Sequence, residues 1–202
     1  CCKDNFHYFC NSFLFLRIMQ NNSHEIARQI RQQFFVFRNG LLADNLRNSG
    51  DCHKMIFGLN LIQIVDIAKL FNKDELVATE LWKSKDTREC RLIAPMLYPT
   101  ESFSEDIAMQ WISEIENHEI ADNLCHKLLR NTSFAAQLCN KLTMGNEIEQ
   151  YVSMRLATNL LIINKAIDID TLKIFAESQL SNKSIHTLSV AKGLLEAISD
   201  LE

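Results

Sequence analysis

The sequence predicts an all-α protein, an α-α superhelix (α-solenoid) of antiparallel helix pairs, and three observations carry that expectation. The first is punctuation. Only five Gly and two Pro occur among 202 residues, too few for an all-β chain that must turn about every ten residues. The second is a recurrence of helix-opening signals at near-constant spacing, and the third is an apolar pattern of three-to-four residue period between them.

The opening signals are short polar residues followed three positions later by Glu, the capping-box arrangement. Asn72 precedes Glu75, Asp86 precedes Glu89, Ser102 precedes Glu105 and Asn146 precedes Glu149. Weaker caps stand at Asn117 and Thr132. These starts step by 14, 16, 15, 15 and 14 residues, so pairs repeat every 30, from 72 to 102 to 132. A fixed period of this size without strand signals is how stacked helix pairs read. The apolar stripes agree: Leu76, Leu81 and Trp82; Ile107, Trp111, Ile112 and Ile115; Leu124, Leu128 and Leu129; Val152, Leu156, Leu160 and Ile163.

Before the regular part, helices are expected at 24–37, 41–49 and 59–71, and after it at 168–180 and 183–200. Pro95 and Pro99 are expected to end the helix opened by Asp86, since proline lacks the N–H that continues a helix. Trp82 and Trp111 fall at core positions. Arg88, Glu89 and Arg91 read as a local ion-pair set on a solvated face. Residues 1–18 differ from the rest of the chain, being rich in Phe and Cys without the features of a signal peptide. They are expected to be a leader upstream of a natural start at Met19, with 19–202 forming a single α-solenoid domain.

The composition balances 47% apolar against 23% charged residues, as in folded globular chains. The net charge of −4 argues against a protein whose whole surface is built for phosphate. The charge is uneven: 19–71 holds six Lys/Arg against four Asp/Glu, 72–117 five against ten, and 118–202 eight against ten. The seven Cys lie at 1, 2, 10, 52, 90, 125 and 139. An odd count without CxxC spacing makes neither a disulfide scaffold nor a zinc site the expectation. The last four fall in apolar helical patterns, as reduced core cysteines of a cytoplasmic protein do. Gly-rich phosphate loops, Gly-x-Ser-x-Gly and His-Glu-x-x-His are all missing, so nucleotide, serine-hydrolase and zinc-protease chemistry have no support.

The stretch from Glu80 to Leu97, with Leu81-Trp82, Arg88-Glu89 and an apolar continuation, resembles the helix pair of the AlkD-like DNA alkylation repair glycosylases. Phe57-Gly58-Leu59 and the segment after it look like that family's glycine-led helix, and the similarity runs from about residue 24 to 200. The resemblance implies HEAT-like repeats binding duplex DNA. In active members it implies hydrolysis of the N-glycosidic bond of N3- or N7-alkylated purines, without cofactor or metal. A carboxylate there stabilises the positive charge that grows on the sugar. The family's Trp-x-x-x-Asp is matched by His118 to Asp122, which makes Asp122 the candidate catalytic group and His118 a candidate DNA contact. The family's aromatic followed by Arg looks like Tyr151 and Arg155. Lys192, in the run Ala191 to Glu196 that matches the last helix, completes the candidate contacts. His118 stands where the family has Trp, and the run around Lys192 holds no aromatic.

The residues themselves leave alternatives open. An acid such as Asp122 in the first turns is favoured by the helix dipole alone, and Arg155 could be an inter-helix ion pair with Glu149 or Asp122. His126 shares the His118 face, while His7, His24, His53 and His186 show no pairing pattern. Two functions are therefore open: a DNA-binding repair protein that excises alkylated purines, or a non-catalytic helical-repeat scaffold binding DNA structure or a protein partner. A monomer with no membrane-spanning segment is expected in either case.

Overall fold

The structure, a computed structural model, describes residues 22–182 and 184–201. The expectation of a leader before Met19 falls outside these residues. Among those described there is no β-strand, only an isolated parallel bridge between Met55 and Thr87. The helices are α1 (22–36), α2 (Gly40–Asn48), α3 (Leu61–Ala68), α4 (Glu75–Lys83), α5 (Arg88–Leu97) and α6 (Glu105–Ser113). They continue with α7 (His118–Lys127), α8 (Ala135–Leu142), α9 (Glu147–Ile162), α10 (Ile169–Ser178) and α11 (Ile185–Ser199). Short 3₁₀ turns lie at Thr100–Ser102, Leu129–Asn131 and Gln179–Ser181. No helix among the described residues is long and apolar enough to cross a membrane.

Asn117 and Asn146 cap as the sequence predicts, Asn146 in a full capping box with Glu149. Elsewhere a nearer polar side chain wins. Asp74, not Asn72, accepts from Val77 N–H, and Ser104, not Ser102, accepts from Ile107 N–H. Thr87 replaces Asp86 as the cap, without a side-chain bond. Thr132 does not cap because its hydroxyl turns back to donate to the Leu129 carbonyl. Pro95 lies inside α5 rather than ending it: the missing N–H falls in the last turn, and Tyr98 N–H bonds Ala94 beyond it.

The chain divides into two compact units that meet between Tyr98 and Pro99 in sequence. In the first, α5 packs against α3 and α4 over a core that includes Ile64, Ile67, Leu81, Trp82, Leu92 and Ile93. Arg88, Glu89 and Arg91 are buried here, not solvated as an exposed ion-pair set would be. The reason is the loop before α3, which leaves backbone donors without helical partners. The Glu89 carboxylate accepts the N–H groups of Phe57, Gly58 and Leu59 at 3.1, 3.0 and 3.3 Å. Arg88 bonds Leu59 O at 3.0 Å and Glu89 at 3.1 Å. Arg91 bonds the Trp82 carbonyl at 2.7 Å and lies 3.5 Å over the Trp82 ring.

Gly58 is required at that loop. Its φ is +77°, and an added Cβ would meet Asn39 O at 2.1 Å. Beside it, Asp51, Cys52 and His53 place potential metal-ligand atoms within 4.8 Å of one another. Asp51 is already engaged, bonded to His53 Nδ1 at 2.6 Å and facing Arg88 Nε at 3.7 Å. Cys52 is exposed, because it sits in this loop and not on a helix as its apolar surroundings suggest.

In the second unit α9 is the central helix, packed against α6, α7, α8, α10 and α11. It is buried on most of its circumference. Ser153 donates to Cys139 O on α8 at 2.7 Å, which satisfies a buried hydroxyl between two helices. Cys125 and Cys139 are core thiols here, as Cys90 is in the first unit; burial pushes Cys90 up to about 11 and Cys139 to about 12. All the predicted site residues belong to this second unit.

Candidate nucleic-acid site

Two helical ladders face each other across α7 and α9. On α7, His118, Asp122 and His126 succeed one another at four-residue steps and so share a face. On α9, Tyr151, Arg155 and Asn159 do the same. Asn117 fixes the start of α7 by accepting Ile120 N–H at 3.0 Å, and the Asn146 capping box fixes α9. Each ladder is therefore set by the cap that opens its helix.

Asp122 is the junction. Its Oδ1 accepts from the Tyr151 hydroxyl at 2.8 Å and from Arg155 Nε at 2.6 Å, while Oδ2 accepts from Arg155 Nη2 at 3.2 Å. Arg155 Nη2 also donates to the Tyr151 hydroxyl at 3.3 Å. Of the two ion pairs open to Arg155, the structure has the one with Asp122. The fork is bidentate, the geometry that orients a carboxylate as well as attracting it. The side chains of Asp122 and Arg155 remain 42% and 35% exposed, so a ligand can reach both. Tyr151 is 3% exposed, and its hydroxyl holds Asp122. Burial first, then the Asp122 charge, pushes the Tyr151 phenol up to about 12 although Arg155 opposes. The phenol is thus a donor at neutral pH. Burial alone would lower the Arg155 guanidinium, but the Tyr151 hydroxyl and the Asp122 charge raise it above the ordinary arginine value.

His118 closes one end of the cluster. Its ring meets Tyr151 edge-on at 4.5 Å and stacks on His186, from the first turn of α11, at 4.2 Å and 22°. His186 shows no pairing pattern in the sequence because it lies 68 positions from its partner; only the packing of α11 on α9 brings it in. Lys192 is not brought to the cluster. It is exposed, and six residues past His186 it points about 120° away round the helix.

Burial, followed by His186, lowers the His118 imidazole below its ordinary value of 6.5, with Asp122 and Glu147 partly opposing. The sign follows from proton counting. Below the unfolded value the unfolded chain binds the proton that folded His118 refuses, so stability is present above that value and is lost as pH falls through the folded one. His118→Gln is expected to flatten the fall in urea midpoint as pH drops below the ordinary histidine value of about 6.5. An unchanged pH slope in that variant would show that His118 is not the group responsible.

The ladder continues past the residues predicted. Arg130 Nη1 meets His126 Nδ1 at 3.1 Å, one more four-residue step along. Asn159, on α9, interacts with His126. The series 118, 122, 126, 130 and 151, 155, 159 are both present in the sequence as a signal for this ribbon. A recess of about 250 Å³ lined by Thr100, Glu101, Phe103 and residues 131–134 lies in the same unit, but it contains none of the five predicted residues.

Residues 30–144 match the protein family described as DNA alkylation repair enzyme. No curated protein matches the chain in sequence. Among solved structures, one is described as a new family of proteins related to the HEAT-like repeat DNA glycosylases, with affinity for branched DNA structures. It superposes with a TM-score of 0.75 at 16% identity, over 85% of this chain and 75% of that one. At that identity the likeness concerns the fold, which is the HEAT-like all-α architecture expected from the helix period. The family match covers more than half of the 202 residues, and the chain belongs to the DNA alkylation repair enzyme family.

Proposed function

We propose that this protein binds duplex DNA through the α7–α9 ribbon and excises cationic, N3- or N7-alkylated purines at Asp122. The observation that carries the proposal is the Asp122 carboxylate, gripped by Tyr151 and Arg155 yet 42% exposed. Loss of an alkylated purine leaves positive charge on the sugar, and a carboxylate already fixed in place stabilises that charge without having to reorganise. The base departs neutral as its bond to the sugar breaks, water adds to the sugar carbon, and the proton that water loses goes to solvent. Arg155 serves the same step by orienting Asp122 and by facing the neighbouring phosphate. The buried thiols Cys90, Cys125 and Cys139 support a reducing, cytoplasmic setting.

A second reading is favoured by one feature of the same site. Arg155 compensates the Asp122 charge, and histidines rather than tryptophans stand beside it. Under that reading the protein grips distorted DNA without cutting a glycosidic bond, and the described affinity of the structural neighbour for branched DNA supports a four-way junction as the probe. The experiment incubates wild-type protein with N7-methylguanine-containing duplex and measures free base by mass spectrometry, alongside gel shifts with intact, alkylated and four-way DNA. Released base supports excision. Binding without release, where a known glycosylase releases base, leaves the second reading. Absence of binding to every DNA overturns both.

A further inference from the structure

Beyond Asp122 and Arg155 the ribbon ends in cations that no carboxylate neutralises. Lys127 ends α7, Arg130 lies in the 3₁₀ turn Leu129–Asn131, and Lys165, just past α9, bonds the backbone of that turn. Among the described residues none of the three is ion-paired with an acid, whereas Lys141 and Arg155 in the same unit are. This is unusual placement in a segment where Asp and Glu outnumber Lys and Arg by ten to eight.

The cluster is built, not splayed. Asn164 takes a left-handed φ of 54°, its N–H bonds Leu161 O, and Lys165 N–H bonds Leu160 O. That helix-ending motif turns Lys165 back, so that its Nζ donates to Arg130 O at 2.7 Å and Thr132 O at 3.3 Å. The lysine thereby pins the turn that carries Arg130. Two donors are left over in the buried part: Arg130 Nε and Asn159 Nδ2 have no hydrogen-bond partner, and the Asn159 side chain is buried, at 7% exposure. Buried donors without acceptors cost free energy and call for one. Burial and Arg130 lower the Lys127 amine, and burial, Arg130 and Lys127 lower His126, with no acid opposing. The mutual repulsion has no internal counter-charge.

We propose that Lys127 and Arg130, on the turn that Lys165 pins, form a phosphate subsite that holds a DNA backbone phosphate at a distance from the nucleotide facing Asp122. This rests on the proposed DNA binding and adds where along the ribbon the backbone is held. The chemistry is that of phosphate recognition: a guanidinium and an ammonium group, neither of them ion-paired with an acid among the described residues. Such an anchor sets register on the duplex and carries no sequence preference.

The test is a salt titration of duplex binding by fluorescence anisotropy for wild type, Lys127→Gln, Arg130→Gln and the double variant. Lys141→Gln, whose charge is already paired with Glu105 at 2.6 Å, is the control. For each phosphate left without its cation, the slope of log K against log salt is expected to become shallower by about 0.9. The control should keep the wild-type slope. Wild-type binding with an unchanged slope in the double variant overturns the subsite and leaves DNA binding intact. Should wild type bind no duplex, the DNA reading fails, and an NMR titration with inorganic phosphate decides the subsite alone. Shifts of the Arg130 Nε and Asn159 side-chain signals would then support it, and their absence would overturn it.

Discussion

Glu89→Ala is expected to destabilise the protein by about 3–5 kcal/mol, the range for removing one member of a buried charged network. Three backbone N–H groups, of Phe57, Gly58 and Leu59, lose their acceptor at once. Arg88 is left buried at 4% exposure, with Asp51 at 3.7 Å. Bulk water does not reach these groups in the intact fold, because Glu89 is fully buried. A loss of this size is a large part of the roughly 5–15 kcal/mol that holds a domain folded. It would show as a large drop in the urea midpoint or as failure to accumulate soluble protein. Glu89→Gln keeps the shape and one acceptor oxygen but points an amide N–H₂ at donors, so its loss should be intermediate. A Glu89→Ala protein within about 1 kcal/mol of wild type, the size of an ordinary substitution, would mean the loop finds other acceptors.

That same Arg88-Glu89 pair shows what the sequence could and could not tell. Its position in the Leu-Trp to Arg-Glu stretch marks the family, and the helix period marks the fold, because caps and apolar spacing are local properties. Burial of the three charges Arg88, Glu89 and Arg91 was not legible, since the loop that needs Glu89 lies about thirty residues upstream in sequence and meets it only in three dimensions. Helix starts moved by two residues where a second capping side chain, Asp74 or Ser104, competed with the first. At the site, four-residue spacing places His118 and Asp122 on one face, and again Tyr151 and Arg155. What spacing cannot state is which helices meet. His186 enters through the packing of α11, while Lys192, matched to the family on that same helix, points elsewhere. The cationic end at Lys127, Arg130 and Lys165 is hidden for the same reason. In one dimension those residues are scattered through a segment with net negative charge.

Asp122→Asn should separate the two functions open to this site. If the protein excises alkylated purines, the variant is expected to lose about 100-fold or more in the rate of N7-methylguanine release, the magnitude seen when one preorganised electrostatic group is removed. The fold should survive, because an Asn oxygen can still accept from Tyr151 or Arg155 where Asp122 now does. Binding should move the other way. Removing the carboxylate takes a negative charge from the α7–α9 ribbon and releases one arm of the Arg155 fork, so affinity should hold or rise and the salt slope should steepen by up to about 0.9. Arg155→Ala is the counterpart, expected to weaken binding and make the slope shallower while leaving Asp122 held by Tyr151 alone. The opposite movement of rate and affinity in Asp122→Asn is what distinguishes a catalytic carboxylate from a structural ion pair. A structural pair would cost stability in both variants and leave base release, where present, in proportion to folded protein. A binding scaffold would show the affinity changes with no base released by any form. Equal losses of rate and binding in Asp122→Asn would make the residue part of the framework and place the catalytic group elsewhere along the ribbon.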